Sequence, residues 1–246
     1  MLDTVTGVGA PAHPVPAKHA LSVQIAGRVG VPTSGVGEVA VNVTVSRAAQ
    51  AGTLVVAPSS KSQSGVTALD FGIHESVSNV VVAKLDSHGT LSMGNHSAGT
   101  IAIDVDVLGY YRAGRPSWPG SFAGLTPAPV LDSRTGRGVA AGRVHSHRTV
   151  SLRVLGRGGV PDSAVSAVLL NVGVARPDRS GSIVVYAHNE DRPDASDLHF
   201  HAGDPRRELV YAPVGIDGKV ALYNQSAGSI DLHADVTGYV RAAAGL

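Results

Sequence analysis

Two stretches decide the fold: GTLSMGNHSAGTIAIDVDVLGYYR at residues 89–112 and GKVALYNQSAGSIDLHADVTGYVR at residues 218–241. Each contains an Asn-x-Ser-Ala-Gly turn between two alternating segments and ends in Asp-Val-x-Gly-Tyr-x-Arg. The match runs without a gap from Leu2, which aligns with Leu131, to Arg112, which aligns with Arg241. A repeat of this length is a whole domain. The sequence therefore predicts one domain over residues 1–112, a Pro- and Gly-rich linker over 113–125, and a second domain over 126–242.

Alternating apolar residues predict that both domains are all-β. Val39, Val41, Val43 and Val45 fall on one side of an extended segment, which is typical of a half-buried strand. No helical spacing persists for two turns, and Gly- and Pro-rich turns separate short alternating runs. We expect two tandem antiparallel β-sandwiches of jelly-roll or Greek-key type, related by duplication. In the last strand we expect three polar residues to point outward from the core, namely Asp231, His233 and Asp235.

Composition excludes several functional classes. The formal net charge is +1 and the cationic residues are scattered along the sequence, with Arg206–Arg207 as the densest cluster, so we expect no nucleic-acid partner. No apolar run reaches the ~20 residues of a membrane span. The chain has 0 cysteines, which excludes disulfides and thiolate chemistry. Because it also lacks the local motifs of hydrolases, zinc proteases and nucleotide-binding proteins, we expect neither catalysis nor a cofactor.

Repeat two resembles a family of β-repeats found in secreted proteins of actinobacteria and some other bacteria. Its segments TPAPVLDSRTGRG, GRGGVP, SAVLLNVGVA, GKVALYNQSAG and HADVTGYV are similar to the family pattern TPxRVLDTRTG, GVP, NVTVT, DGxVxLYN and ADVxGY. The resemblance covers 126–241 and extends more loosely to repeat one, which has Val5 where repeat two has Arg134. It implies a non-catalytic β module of a secreted or cell-surface protein, although no signal peptide follows Met1.

Several polar and aromatic residues recur in both repeats, which favours structural roles. Carboxylates at strand ends usually cap turns, mid-strand amides satisfy neighbouring backbone, and a Tyr after Gly suggests a hydroxyl bonded to backbone, as in a tyrosine corner. Asp132 and Arg134 are expected to form an ion pair, and Asn95 and Asn224 to shape turns. The recurring pairs are Asp3 and Asp132, Asp106 and Asp235, Asn42 and Asn171, and Tyr110 and Tyr239.

Two further groups each leave two interpretations open. Asp197, His199 and His201 alternate along one strand and form either a weak candidate metal site or a solvated polar face. Repeat one has Ala68, Asp70 and Gly72 at the matching positions, which favours the solvated face. Trp118 and Phe122 in the linker either pack on a domain face or offer rings to a ligand.

The sequence leaves three functional hypotheses. The first is a structural or protein-interaction module that links other proteins in an extracellular assembly. Repeat one starts at Leu2-Asp3 without the TPAPV segment of repeat two, so either the chain is a trimmed or mature form or the opening strand is truncated. An edge left open in this way could accept a partner's strand. The alternatives are a carbohydrate- or cell-wall-binding module and, third, a hydrolase.

Overall fold

The computed structural model describes residues 2–58, 66–114 and 117–243, which form two compact units, Met1–Gly114 and Arg115–Leu246. Unit 1 contains β1 (Leu2–Asp3), β2 (Ala20–Gln24), β3 (Val36–Ser46), β4 (Gly52–Ala57), β5 (Val66–Phe71), β6 (Val77–Lys84), β7 (Thr90–Asn95) and β8 (Ala102–Arg112). Unit 2 contains β9 (Phe122–Asp132), β10 (Thr149–Arg153), β11 (Val165–Ala175), β12 (Gly181–Ala187), β13 (Leu198–Phe200), β14 (Arg206–Pro213), β15 (Lys219–Asn224) and β16 (Asp231–Arg241). The described residues contain no helix, and therefore no helix able to cross a membrane.

Each unit is an eight-stranded antiparallel sandwich, so the predicted fold class is confirmed. The sheets of unit 1 have the orders β1-β8-β3-β6 and β2-β7-β4-β5, and those of unit 2 follow the same order with β14-β11-β16-β9 and β10-β15-β12-β13. Only the fourth and fifth strands of a unit are consecutive neighbours, and the first strand lies beside the last. This two-sheet order is that of a jelly roll.

The alternating residues of the sequence form the two cores. Val39, Val41, Val43 and Val45 are each 0% exposed and pack with the other sheet of unit 1 in a single apolar cluster. Unit 2 has an equivalent cluster that is built from its own strands. Each unit therefore buries its own core, as expected of independently duplicated domains.

A buried asparagine joins three segments at one end of each sandwich. Asn224 is 1% exposed, and its Nδ2 donates to the carbonyl oxygens of Val144, His145 and Gly228 at 3.2, 3.1 and 2.9 Å. Its Oδ1 accepts from the backbone N and Oγ of Ser226 at 3.0 and 2.7 Å. Asn95 makes the equivalent bonds in unit 1, to Val15, Pro16, Gly99 and Ser97.

This turn also dictates a glycine at the start of the fourth strand. A Cβ added to Gly181 would lie 2.3 Å from the Cβ of Ser226, and one added to Gly52 would lie 2.4 Å from the Cβ of Ser97. Real Cβ atoms do not approach this closely. The glycines thus allow the Asn-x-Ser-Ala-Gly turn to pack directly on the neighbouring strand.

The first strands of the two units differ in length. β1 contains two residues, whereas β9 contains 11 and begins at Phe122, inside the segment predicted to be linker. Residues 122–125 are therefore strand rather than linker, because they pair with β16, for example Ala123 with Tyr239.

Two polar residues that point outward from β16, the last strand of unit 2, are buried, although outward-pointing polar residues were expected to be exposed. Asp231 is 1% exposed and accepts a hydrogen bond from Arg176, and His233 is 8% exposed. A Cβ on Gly173 would lie 2.0 Å from His233 Nε2, so the imidazole lies over this glycine. Repeat one has Thr44 at the position of Gly173. Because Gly173 of β11 has no side chain, there is room for the imidazole of His233 on β16.

We expect Asn224→Asp to lower the free energy of unfolding of unit 2 by roughly 3 kcal/mol or more at pH 7, because a buried carboxylate would face three carbonyl oxygens. Thermal unfolding followed by circular dichroism would measure the loss. The control is Asn189→Asp, the same change at an exposed position. Equal melting temperatures for the two variants would contradict the role assigned to Asn224.

Candidate binding sites

The edge of β8 is the first candidate site. On the side away from β3, β8 pairs with β1 only at Leu2–Val105 and Asp3–Asp104. In unit 2 the same side of β16 is covered as far as Val240, which pairs with Phe122. Among the described residues, no strand pairs with β8 beyond Val105 on this side. Such an edge exposes backbone donors and acceptors that an added strand can pair with.

The atoms around two equivalent glycines, one on β16 and one on β8, show how differently the edges of these two strands are covered. A Cβ on Gly238 would meet the Phe122 ring at 2.3 Å and the Ala123 carbonyl oxygen at 2.9 Å. Gly109, its counterpart, has no atom of a described residue within 4 Å of the same point. Beside it, Leu108 is 60% exposed and Tyr110 is 37% exposed. The place over Gly109 that the Phe122 ring fills in unit 2 is therefore open among the described residues of unit 1, and we call it the Gly109 seat.

In unit 1, the side chain of one residue restricts the space for a strand beside β8. Val29 has φ of 50° and is 67% exposed, whereas its counterpart is Gly158, with φ of 58°. A Cβ on Gly158 would meet Ala128 and Val130 of β9 at 3.3 and 3.1 Å. A β-branched residue at positive φ is strained. In unit 1 the Val29 side chain thus lies on the path that β9 follows in unit 2.

The recurring aspartates near the start of each unit organise tight turns. Asp3 accepts from the Val5 backbone N and from Thr6 Oγ1, both at 2.6 Å. Asp132 accepts from the backbone N of Arg134 and from its guanidinium at two points, all at 2.9 Å. The Arg134 guanidinium lowers the pKa of Asp132 to about 2. Both carboxylates are thus engaged in hydrogen bonds within their own loops.

A polar layer covers the outer face of the sheet β14-β11-β16-β9. Arg207, Gly173, His233 and Asp132 occupy one row across the four strands, and Asn171 pairs with Asp235 in the next row. Asp235 lies 3.6 Å from Arg207, and burial raises the pKa of its carboxyl. Neither ring nitrogen of His233 has a hydrogen-bond partner among the described residues. Burial and the nearby Arg207 and Arg134 lower the pKa of this imidazole to about 3.

The corresponding layer of unit 1 is more open. Asn42 pairs with Asp106 in the register that Asn171 and Asp235 share, but Asn42 is half-buried and Asp106 is exposed. Burial and the neighbouring Asp106 and Asp3 raise the pKa of Asp104. The Asn42 side chain makes no hydrogen bond within the described residues, so the expected contact to backbone is absent there.

The aromatic residues fall in different environments. Neither Tyr110 nor Tyr239 bonds through its hydroxyl to any described residue, so the expected tyrosine corner is not formed. Tyr239 instead packs against the core of unit 2 through its ring. Trp118 is 76% exposed, whereas the half-buried Phe122 packs on Gly238 of its own unit.

The alternating residues Asp197, His199 and His201, in and beside β13, do not form a metal site in the structure. Asp197 Oδ2 accepts from the backbone N of Val185 at 2.7 Å, and His199 and His201 are exposed. Within residues 2–58, 66–114 and 117–243, no group of three or more His, Cys, Asp or Glu residues is arranged to hold a metal ion. Asp197 therefore joins the edge strand to its neighbour.

A second candidate site is a solvent-open hollow of about 560 Å³ in unit 2, at the end where Asn224 joins its three segments. Arg143 supports its wall: its guanidinium donates to Asp178 Oδ1 at 2.8 Å and to the Ser229 carbonyl at 2.7 Å. It also donates to the Arg176 carbonyl. The lining consists of His145, Ser146, Arg148, Asp178, Arg179 and residues 227–229.

Two cations of this hollow form no side-chain hydrogen bond or ion pair in the described structure, although the pKa of Asp178 is lowered by its hydrogen bond from Arg143 and also by the charge of Arg179. The guanidinium groups of Arg148 and Arg179 are exposed and make no hydrogen bond or ion pair with a described residue. Their counterparts in unit 1 are His19 and Gln50, so the feature belongs to unit 2 alone. Sequence inspection suggested scattered charge because the two arginines lie in separate segments. A comparison of the repeats at each aligned position would have revealed them.

No protein-family model matches the chain, and no curated protein matches it. Among solved structures, the chain is similar to the PBSX exported protein XepA at 12% identity, with a TM-score of 0.24, over 91% of this chain and 83% of that one. It is also similar to the N-terminal CBM22-1–CBM22-2 tandem domain of Xyn10C from Paenibacillus barcinonensis, at 8% identity, with a TM-score of 0.27, over 98% and 97% of the two chains. Neither similarity is close enough to carry a functional argument.

The lowered pKa of His233 predicts a loss of stability in acid. Because the folded imidazole has a pKa of about 3 and the unfolded one about 6.5, only the unfolded state gains a proton between these values. Lowering the pH from 7 to 5 should therefore cost about 2 kcal/mol through this residue. Asp235, whose raised pKa acts in the opposite direction, lies on the same face.

Urea unfolding of the full chain and of His233→Leu at pH 7 and pH 5 would measure this contribution, and His201→Leu, at an exposed position, is the control. We expect the acid loss to shrink by about 2 kcal/mol in His233→Leu and to stay unchanged in His201→Leu. An equal loss in all three proteins would show that His233 is not buried in its neutral form.

Proposed function

We propose that this chain is a non-catalytic module of an extracellular or cell-surface assembly, and that it links other proteins by accepting an extended segment along β8. The observation that carries the proposal is the open place at Gly109, which Phe122 fills in unit 2, beside a strand edge without a partner among the described residues. The extracellular setting rests on the resemblance of repeat two to secreted β-repeats.

Strand β9 of unit 2 indicates which side chains a partner segment would need in order to fit along β8. Its own β9 supplies Phe122 to the glycine seat, and Leu125 packs against the core beside Gly159. The other residues of 122–129 are small residues, threonine and proline. A matching partner segment would present one aromatic residue, then a leucine three positions later, flanked by small residues. Backbone pairing would supply affinity, and these two side chains would supply specificity.

A peptide with the sequence SFAGLTPAPV, residues 121–130, tests this proposal. We expect saturable binding of the labelled peptide to the full chain, measured by fluorescence anisotropy. Gly109→Val should weaken binding at least about tenfold, because its side chain would fill the seat of the phenylalanine ring. That variant should fold normally, since nothing lies within 4 Å of the added Cβ.

Two controls sharpen the experiment. Val29→Gly should strengthen binding, because it removes the side chain that lies on the path of the strand and relieves a strained φ. A peptide with alanine in place of its phenylalanine should bind Gly109→Val and the unchanged chain equally. The proposal is wrong if the original peptide fails to bind, or binds Gly109→Val with undiminished affinity.

A second candidate function is carbohydrate or cell-wall binding, and the hollow of unit 2 favours it. Its volume of about 560 Å³ falls within the range of small-ligand sites, and its lining is polar. Exposed aromatic platforms, which sugar sites on β-sandwiches often use, are scarce here, with Trp118 as the most exposed ring of the described residues.

Co-sedimentation with purified, protein-free cell wall tests the second candidate. We expect the full chain to pellet with the wall and Gly109→Val to pellet equally, because the hollow lies in the other unit. Binding of the peptide without sedimentation would favour the protein-linking function, and sedimentation without peptide binding would favour the wall.

A further inference from the structure

We infer that the hollow of unit 2 binds an acidic glycan, and that Arg148 and Arg179 hold its carboxylate or phosphate group. The inference deepens the carbohydrate-binding candidate and rests on it. It concerns a site without a counterpart in unit 1, where proline replaces both Arg143 and His145.

The charge pattern points to an anion. Arg143 forms an ion pair with Asp178 at 2.8 Å, and Arg176 forms one with the buried Asp231. The charge of Arg179 also acts on Asp178, so at this hollow the three arginines Arg143, Arg148 and Arg179 outnumber the one carboxylate. Both Arg148 and Arg179 line the hollow. A guanidinium presents a planar fork of donors that fits carboxylate and phosphate oxygens. Two such forks at one concave surface favour an anionic group over a neutral sugar.

The backbone of both arginine segments contacts the turn that forms the floor of the hollow. Gly228 is buried, and a Cβ added there would lie 2.9 Å from the Arg179 backbone N. On the other side, the Arg148 carbonyl accepts from the Asn224 backbone N at 3.0 Å. The segments that carry the two arginines are therefore both packed against the Asn-x-Ser-Ala-Gly turn.

The remaining lining suits a polysaccharide. Ser229 Oγ lies 3.2 Å from His145 Nδ1, and with Asp178 it supplies hydroxyl and carboxylate groups of the kind that bind sugar hydroxyls. A neighbouring hollow of about 460 Å³ shares His145 and Arg148 and adds apolar wall from Val139, Ala140 and Ala141. Together they form an open groove with a charged part and a part suited to the C–H faces of a sugar ring.

Isothermal titration calorimetry of the full chain at low salt tests the inference with four probes: a uronic-acid oligosaccharide, its methyl ester, a phosphorylated oligosaccharide and a glutamate oligomer. We expect the first or third probe to bind and the ester to bind at least about tenfold more weakly. The uronic acid and the phosphorylated oligosaccharide distinguish a carboxylate ligand from a phosphate ligand. Equal or tighter binding of the glutamate oligomer would overturn the assignment to a glycan.

The variant Arg148→Gln/Arg179→Gln provides the structural test. We expect at least about a tenfold loss of affinity for the acidic probe, with an unchanged melting temperature because neither guanidinium bonds to a described residue. The matched control is Arg28→Gln/Arg157→Gln, which removes the same charge at exposed sites outside the groove. Absence of binding by both acidic glycan probes, or an equal loss in both variants, would overturn the inference. Peptide binding at β8 should persist throughout, which separates this outcome from that of the protein-linking function.

Discussion

The buried asparagine of the Asn-x-Ser-Ala-Gly turn is the interaction on which each sandwich depends. In both units one amide bonds the carbonyl groups of the loop before the second strand and of the turn between the last two strands. These segments are far apart in sequence, and a jelly roll must bring them together to place its last strand beside its first. Because a buried amide without partners costs several kcal/mol, the fold and this network form together.

The duplication kept the interior and changed the surfaces. Both units have the same strand order and the same glycine beneath the asparagine turn. Their outer layers differ: unit 2 covers its sheet with Arg207 and a neutral His233, whereas unit 1 has Ser78 bonded to Thr44 and a nearby Asp104. Core positions are constrained by close packing on every side. Surface and edge positions are not, so the two copies were free to acquire separate binding features.

This division places the two proposed functions on different units. The seat at Gly109 is a property of unit 1, because in unit 2 the same place is filled by Phe122. The arginine groove is a property of unit 2, because histidine and glutamine stand in unit 1 where unit 2 has Arg148 and Arg179. Neither feature requires the other. A protein that links a partner polypeptide to an acidic polymer could use both, one through each copy of the fold.

The sequence by itself determined the duplication, the all-β class and most of the core, since period-two alternation of valines records which face of a strand is buried. It did not determine the strand path of residues 122–125, the burial of His233 over Gly173, or the hollow that Arg148 and Arg179 share. Each of these arises from residues that are distant along the chain and meet only when the sheets close. Local patterns report the environment of a strand, but they carry no record of which distant side chains come to face one another. Tertiary structure alone decided those pairings.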